Sequence, residues 1–401
     1  MQQELSEPKI TKITCKNEWL LSRLQIEKHI TDAKKGDPKA QNHLGFLLQM
    51  GLGVEKNLIK AVECFRKAAE QSNAMAQYNL GLCYLNGDGI EKNSAKAAQW
   101  FEAAAQKNYT NAQIKFGCCC LEGIGTTKNE NEAVKWFTKA AEKNDDLAQF
   151  YLGNCYEQGI GVEKNIATAI EWYTKAAEKN DKAQLRLGLH YLIAKNDTEA
   201  VKWLEKAADQ KNSEAQSMLG DCYFGGIGVE KSLIKAIELY AEAAEAAIEN
   251  KEENDDDVQG HLVEYKNQIA KAVKVLIKKK NTNAIISDDN NTPLHIAARI
   301  YRSDLTRLLL ENNANPTLRN DAGQTPLHIA VENNDIVSAQ LFLTAGASIN
   351  ERNNSGETPL YIAAQHNHAQ LVELLMKTGA DPYIKDKQEK DAVFWLEKNF
   401  K

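Results

Sequence analysis

Eight cysteines and five Gly-x-Gly turns are the residues of this 401-residue chain whose types suggest chemistry. Cysteines at suitable spacing close disulfides or bind zinc, and a glycine-rich turn after a strand cradles a dinucleotide. The spacing argues against each. Cys83, Cys119, Cys155 and Cys222 occupy one recurring position of a helical repeat. Equivalent positions in stacked helices lie roughly 8–10 Å apart, whereas a disulfide needs Cα atoms within about 7 Å. A shared zinc needs both sulfurs at about 2.3 Å. Cys118, Cys119 and Cys120 follow one another on one helix at about 100° intervals and do not converge on one ion. The cysteines therefore read as small core residues. The turns Gly51/Gly53, Gly87/Gly89, Gly123/Gly125, Gly159/Gly161 and Gly226/Gly228 follow helices rather than strands and have no third glycine in register. No HExxH, P-loop, kinase or GxSxG pattern occurs. No catalytic residue, metal site or cofactor is expected.

The elements carrying these residues repeat. Ala-Gln recurs at Ala40, Ala76, Ala112, Ala148, Ala183 and Ala215, roughly every 36 residues, with a glycine five residues later at Gly45, Gly81, Gly117, Gly153, Gly188 and Gly220. After the Gly-x-Gly turn comes an aromatic pair or its remnant: Cys64-Phe65, Trp100-Phe101, Trp136-Phe137, Trp172-Tyr173, Trp203-Leu204 and Leu239-Tyr240. Ala-Ala follows each pair, from Ala68-Ala69 to Ala243-Ala244. Small residues facing bulky ones let helices pack closely, so each unit predicts an αα-hairpin. The fifth copy lacks the Gly-x-Gly turn, and its run Ile193 to Asp197 is shorter. A second pattern, with a period of 33, centres on Thr292-Pro293-Leu294, Thr325-Pro326-Leu327 and Thr358-Pro359-Leu360. Proline there suits a first helical turn. Second helices are predicted at Leu305–Glu311, Val337–Thr344 and Gln370–Lys377, ended by Asn-Ala-Asn, Gly-Ala-Ser or Gly-Ala-Asp. Periods of this size mean stacked units that bury their apolar faces against one another.

The first pattern resembles the Sel-1-like repeat, a relative of the tetratricopeptide repeat, over about half the chain. The resemblance implies a right-handed α-superhelix acting as an adaptor for other proteins. Some secreted relatives staple each repeat with a cysteine pair, but here the second-helix position is Ala-Ala. Members of that cysteine-rich subclass are linked to penicillin binding, which makes Ser-x-x-Lys worth weighing. Ser232-Leu-Ile-Lys235 matches, yet the same register reads Asn57-Leu-Ile-Lys60 and Asn93-Ser-Ala-Lys96. Ser232 is thus expected to cap a helix. Ser6-Glu-Pro-Lys9 falls in a tail expected to be disordered.

The second pattern is similar to the ankyrin repeat, with three full copies and degenerate end copies around 261–288 and 391–400. The resemblance implies a stack whose hairpin tips and first helices bind proteins. It also gives His295 and His328 a structural role in tying neighbouring loops together, with Tyr361 taking that place in the third copy. The fold expected is all-α: a disordered 1–16, a capping helix within 17–37, six Sel-1-like repeats over 38–248, an acidic linker at 249–260, and ankyrin repeats over 261–401, with the full copies at 286–387. Whether the two arrays dock or swing about the linker stays open at this level.

Composition bounds the rest. A net charge of −6 offers no bulk attraction for nucleic acid, and the basic run Lys278-Lys279-Lys280 reads as a solvated helix end. The N-terminus lacks the basic start and apolar run of a secretory signal, and no stretch reaches the roughly 18 apolar residues of a membrane span. The expectation is a monomeric cytoplasmic protein with protein partners. Combining these repeat types resembles proteins that intracellular bacteria deliver into host cells, which leaves export by a non-classical route open. The other readings are a cell-wall-associated β-lactam-binding protein and a regulatory subunit of an enzyme complex.

The expected partner surface is the concave face of each array. Counting 100° per residue from Ala76 turns Tyr78 and Leu82 away from the core stripe. The equivalent apolar positions are Phe46, Ile114, Phe150, Leu185 and Leu189. They form a groove for a partner segment, or pack against the next repeat. In the ankyrin stack the candidates are the tips Asn291, Gln324 and Glu357, with the first-helix ends Arg299, Tyr301, Arg302, Glu332, Asn333, Gln365 and His366. Tyr301 with its two arginines has the composition of a binding hot spot.

Overall fold

The computed structural model describes residues 23–249 and 256–399. It holds twenty-one helices and, among the described residues, no β-strand. Helix α1 (Arg23–Lys34) precedes six hairpins. These are α2/α3 (Pro38–Met50, Leu58–Glu70), α4/α5 (Ala74–Asn86, Ser94–Gln106), α6/α7 (Thr110–Glu122, Glu130–Ala141), α8/α9 (Asp146–Gln158, Ile166–Ala176), α10/α11 (Asp181–Ile193, Asp197–Asp209) and α12/α13 (Ser213–Gly225, Leu233–Glu249). A long α14 (Asp256–Lys278) follows. Then come α15/α16 (Pro293–Arg299, Ser303–Glu311), α17/α18 (Pro326–Glu332, Ile336–Thr344), α19/α20 (Pro359–Gln365, Ala369–Thr378) and a closing α21 (Ala392–Asn399). The chain divides into two compact units, residues 1–183 and 184–401. Helical conformation reaches Glu249 and resumes at Asp256, inside the stretch expected as a 249–260 linker; residues 250–255, like the N-terminal tail, lie outside the described residues.

Five of the first six hairpins are closed by a glycine set against a ring. A Cβ on Gly81 would lie 2.6 Å from the ring of Phe101, and Gly45, Gly117, Gly153 and Gly220 face Phe65, Phe137, Tyr173 and Tyr240 in the same way. The second member of each pair is thus the one that packs on the glycine, and the glycine is the hole that receives it. In the fifth hairpin Leu204 fills this role against Gly188. The second glycine of the turn solves another problem. Gly89 has φ +68, and a Cβ there would run into the backbone of Leu58 in the preceding repeat. Only glycine allows both the left-handed conformation and the approach.

Polar residues set the register. Asn57, Asn93, Asn129 and Asn165 cap the second helices, each side chain accepting a bond from a backbone N–H three residues on. The glutamine of each Ala-Gln is buried, and in the first four copies it reaches back to a carbonyl: Gln41 to Ala33 (3.3 Å), Gln77 to Ala69 (3.2 Å), Gln113 to Ala105 (3.4 Å) and Gln149 to Ala141 (3.4 Å). Its amide N–H₂ gives the helix-end carbonyl a second donor beside the backbone N–H three residues on.

The ankyrin copies use a different device. Thr292 and Thr325 start their helices with extended backbone, and proline follows at the first helical position. His295 Nδ1 accepts from the Thr292 N–H (3.1 Å), which leaves Nε2–H to donate to the Gln324 carbonyl of the next copy (3.1 Å). His328 repeats this with the Thr325 N–H (3.1 Å) and the Glu351 carbonyl (3.1 Å). Tyr361 in the third copy donates instead to Asp386 (2.8 Å). The second helices end at left-handed Asn313, Gly346 and Gly379, as the tripeptides there predict.

Within the second unit one apolar core runs without a break from Ile237, Tyr240 and Ala244 of α13, through Tyr265, Ile269, Val273 and Leu276 of α14, to Leu294, Leu327 and Leu360 of the ankyrin first helices. Polar bonds cross the same junction. Ser217 Oγ donates to Gln268 (2.9 Å), Arg299 pairs with Glu245 (3.0 Å), and Arg302 donates to the Lys266 carbonyl (2.9 Å). Helix α14 therefore docks the end of the first array onto the second.

Candidate partner-binding surfaces

The apolar row along the first helices of the opening hairpins is divided by the fold. Phe46 is 44% exposed, while Tyr78, Leu82 and Leu189 are half-buried. Ile114, Phe150 and Leu185 are buried, at 6%, 8% and 5%, and as partner contacts they are corrected here. Counting angles on one helix treats it as isolated, but a solenoid helix is covered on several sides. Phe150 lies 5.9 Å from the ring of Tyr173 on its own second helix. Tyr78 packs edge-on against Tyr109 (5.4 Å) and lies 5.7 Å from Phe101. Sequence reasoning missed Tyr109 and Tyr151. Burial first, then the neighbouring Cys118, pushes the Tyr151 hydroxyl up to about 12. Both stand beside the counted positions, where only the fold brings them in.

The ankyrin candidates separate too. Asn291 is 1% exposed and holds the loop together: its amide donates to Ser287 (3.0 Å) and its side-chain oxygen accepts from Asn320 (3.1 Å). It is a loop brace, not a free tip, because a hairpin tip in a stack is covered by the next one. Gln324 is half-buried and donates to Glu332 (3.2 Å). Glu357 accepts from Asn353 (2.8 Å), Asn333 donates to the Ala298 and Arg299 carbonyls (3.4 Å each), and the Gln365 carbonyl accepts from Asn399 (3.3 Å). Arg299 pairs with Glu245, and Arg302 holds Asp304 in a two-pronged bond (2.7 Å each). The two arginines thus brace α13 and α14 instead of standing free beside Tyr301.

What remains open to solvent in this array is Tyr301, 46% exposed, with Glu332 and His366. Tyr301 has φ +58, where the next two copies place Asn334 and Asn367 at φ +56 and +60. Asparagine tolerates that region and tyrosine does so poorly. A strained aromatic kept at the surface is a mark of function.

Two motifs weighed for chemistry resolve into structure. Ser232 Oγ accepts from the Lys235 N–H (3.2 Å) as a helix cap, and Lys235 Nζ donates to Glu238 (2.8 Å). The glutamate bond raises the pKa of that lysine, despite partial burial, which opposes a role as general base. Cys83, Cys119, Cys155 and Cys222 are 2–3% exposed and unbridged, and burial pushes each thiol up to about 11. Such thiols are inert core residues.

A chain of αα-hairpins each closed by a glycine–ring contact, followed by helices braced through Thr-Pro-Leu-His, defines a two-part repeat solenoid. The Sel1 repeat family matches six times, at residues 38–73, 74–109, 110–145, 146–181, 182–212 and 213–247, and ankyrin repeats (3 copies) match over 261–353 and 301–386. The first set spans more than half the chain: this is a Sel1 repeat protein with C-terminal ankyrin repeats. Among solved structures it is similar to a Sel1 repeat protein from Oxalobacter formigenes, at 36% identity and TM-score 0.50, over 58% of this chain and 98% of that one. It is also similar to c5321, a protective antigen present in uropathogenic Escherichia coli strains that displays an SLR fold. There the identity is 26% and the TM-score 0.54, over 93% of this chain and 79% of that one. No curated protein gives a significant match. No helix among the described residues is long and apolar enough to cross a membrane.

Proposed function

We propose that this protein is a non-catalytic, monomeric scaffold that brings protein partners together on the concave faces of its two arrays. Both repeat types are protein-interaction modules, and the single observation carrying the scaffold reading is α14. By sharing one core with α13 and the ankyrin first helices, it holds the last Sel1 repeats and the ankyrin stack in a fixed relation, which suits positioning one partner against another. On the first array the contacts are Phe46, Tyr78, Leu82 and Leu189; on the ankyrin array they are Tyr301, Glu332 and His366, with Gln324, Glu357 and Gln365 at their edges. The protein acts in the cytoplasm, with delivery into a host cell by a non-classical route as the second reading; the similar c5321 is described as a protective antigen present in uropathogenic Escherichia coli strains.

The test is affinity capture with the full chain beside two variants, Phe46→Glu/Tyr78→Glu and Tyr301→Asn/Glu332→Lys. A cut near residue 250 is unsuitable because it severs the core shared by α13 and α14. Distinct partners lost separately in the two variants support a bridging scaffold. One stoichiometric enzyme partner would replace it with a regulatory subunit. Acylation by a labelled penicillin at Ser232 would overturn it.

A further inference from the structure

The second helices of repeats three, four and five share a device. Each carries a tryptophan, buried at Trp136 and half-buried at Trp172 and Trp203, with a lysine one turn later over the ring: Lys139 over Trp136 at 4.1 Å, Lys175 over Trp172 at 4.0 Å, and Lys206 over Trp203 at 4.0 Å. The lysine covers the ring face and gains a cation–π attraction. Trp100 of α5 stands at the same position in repeat two, but one turn on is Ala103. In place of a lysine there is a cavity of about 460 Å³ between α3, α4 and α5, lined by Trp100, Ala103, Tyr84, Arg66, Lys96 and Glu70 among others. That volume lies within the roughly 300–1,000 Å³ of pockets that hold ligands.

The charges around the ring are reversed as well. Arg66 on the preceding second helix and Lys96 one turn before the tryptophan occupy the positions of Glu102 and Glu132 around Trp136, and of Thr138 and Thr168 around Trp172. In repeat three Lys139 covers the ring, and after burial the carboxylates of Glu132 and Glu102 help push the thiol of Cys120 up to about 11. In repeat two the lysine is gone and the carboxylates have become cations. Arg66 and Lys96 form no ion pair among the described residues; Lys96 Nζ rests 5.4 Å from the ring centre of Tyr84. Glu70, one turn from Arg66, leaves the groove net positive. Two cations on a chain of net charge −6 are too few to hold a nucleic-acid backbone.

We infer that the Trp100 groove docks an acidic segment of a partner protein, with an apolar side chain on Trp100 and a flanking Asp or Glu carboxylate between Arg66 and Lys96. The inference rests on the scaffold reading and adds a second-helix surface to it. In repeats three to five the chain caps the ring with its own lysine; in repeat two the partner supplies the cover, and the reversed charges select its sign.

The test is selection of a phage-displayed library of random twelve-residue peptides on the full-length protein. Enriched peptides are then measured by fluorescence anisotropy on the wild type, Arg66→Glu/Lys96→Glu and Trp100→Leu. Both variants use residues that other repeats carry at these positions (Glu102, Glu132 and Leu239), so the fold should hold, as checked by circular dichroism. Peptides pairing Asp or Glu with an aromatic or aliphatic residue are expected. Binding should weaken about tenfold or more in the double variant and about tenfold in Trp100→Leu, a loss of roughly 1.4 kcal/mol per tenfold, and should weaken in high salt. Basic or neutral peptides, peptides indifferent to both variants, or no enrichment would each overturn the inference. Peptides indifferent here but lost on Tyr78→Glu would do so while leaving the scaffold reading standing.

Discussion

The two arrays differ in how their units fit together. In the Sel1 repeats the fit is steric: Gly117 receives the Phe137 ring within its own hairpin, and Gly125 lets the turn press on the backbone of Ser94 in the preceding repeat. In the ankyrin repeats it is polar: His295 and His328 each tie their own helix start to a carbonyl of the next copy. The first kind of joint fails when volume is added. The second fails when a hydrogen-bonding group is removed or charged. Helix α14 belongs to both, which makes the change of repeat type a poor guide to where the molecule comes apart.

The largest expected effect tests that last point. Val273→Asp places a carboxylate in the core common to α13, α14 and the ankyrin helices, at a cost of about 4 kcal/mol or more. Hydrogen exchange should show protection lost together in α12–α13 and α15–α17. Loss confined to the ankyrin helices would mean the shared core is not cooperative.

Acid should distinguish the polar joint from the steric one. Burial lowers the pKa of His295 and of His328 to about 4, from 6.5. Between those values the unfolded chain binds more protons than the folded one, so stability rises with pH there. The contribution is complete above about pH 6.5 and is lost as pH falls toward 4, up to roughly 3 kcal/mol per histidine. Urea midpoints of the wild type and His328→Gln across this range should show the variant with the shallower slope; equal slopes would refute the assignment.

The steric joint has its own signature. Glycine in a helix interior is usually improved by a larger residue, but Gly117→Val should destabilise by about 2–3 kcal/mol because the added carbons meet the Phe137 ring. Chemical denaturation reads the sign directly. The smallest effect is a gain: Tyr301→Asn relieves a left-handed tyrosine and should stabilise by about 1 kcal/mol, while weakening whatever partner uses that ring. Thermal melting and capture of the same variant separate the two consequences.

Much of this was legible in the residues. The two periods, the hairpins, the left-handed stops after the ankyrin helices and the capping role of Ser232 all follow from local rules about glycine, proline and side-chain oxygens. Local pattern did not reach which apolar first-helix residues stay open. Tyr78 and Phe150 share a repeat position, but Phe150 is buried and Tyr78 is not fully so, since covering depends on neighbours in other repeats. Nor did it reveal that Arg299 spends its charge on Glu245 in another helix, or that Arg302 reaches the Lys266 carbonyl of α14 while it pairs with Asp304 two residues on.

The sequence by itself determined the class of fold and the absence of a recognisable catalytic motif, because repeat periodicity and turn chemistry act over a few residues. Tertiary structure decided the surface. It buried Asn291, freed Tyr301, docked the arrays through α14 and left Trp100 without the lysine cover that three other repeats supply. Exposure is set largely by residues distant in the chain, brought side by side only when the helices pack, as Arg299 meets Glu245 across 54 positions.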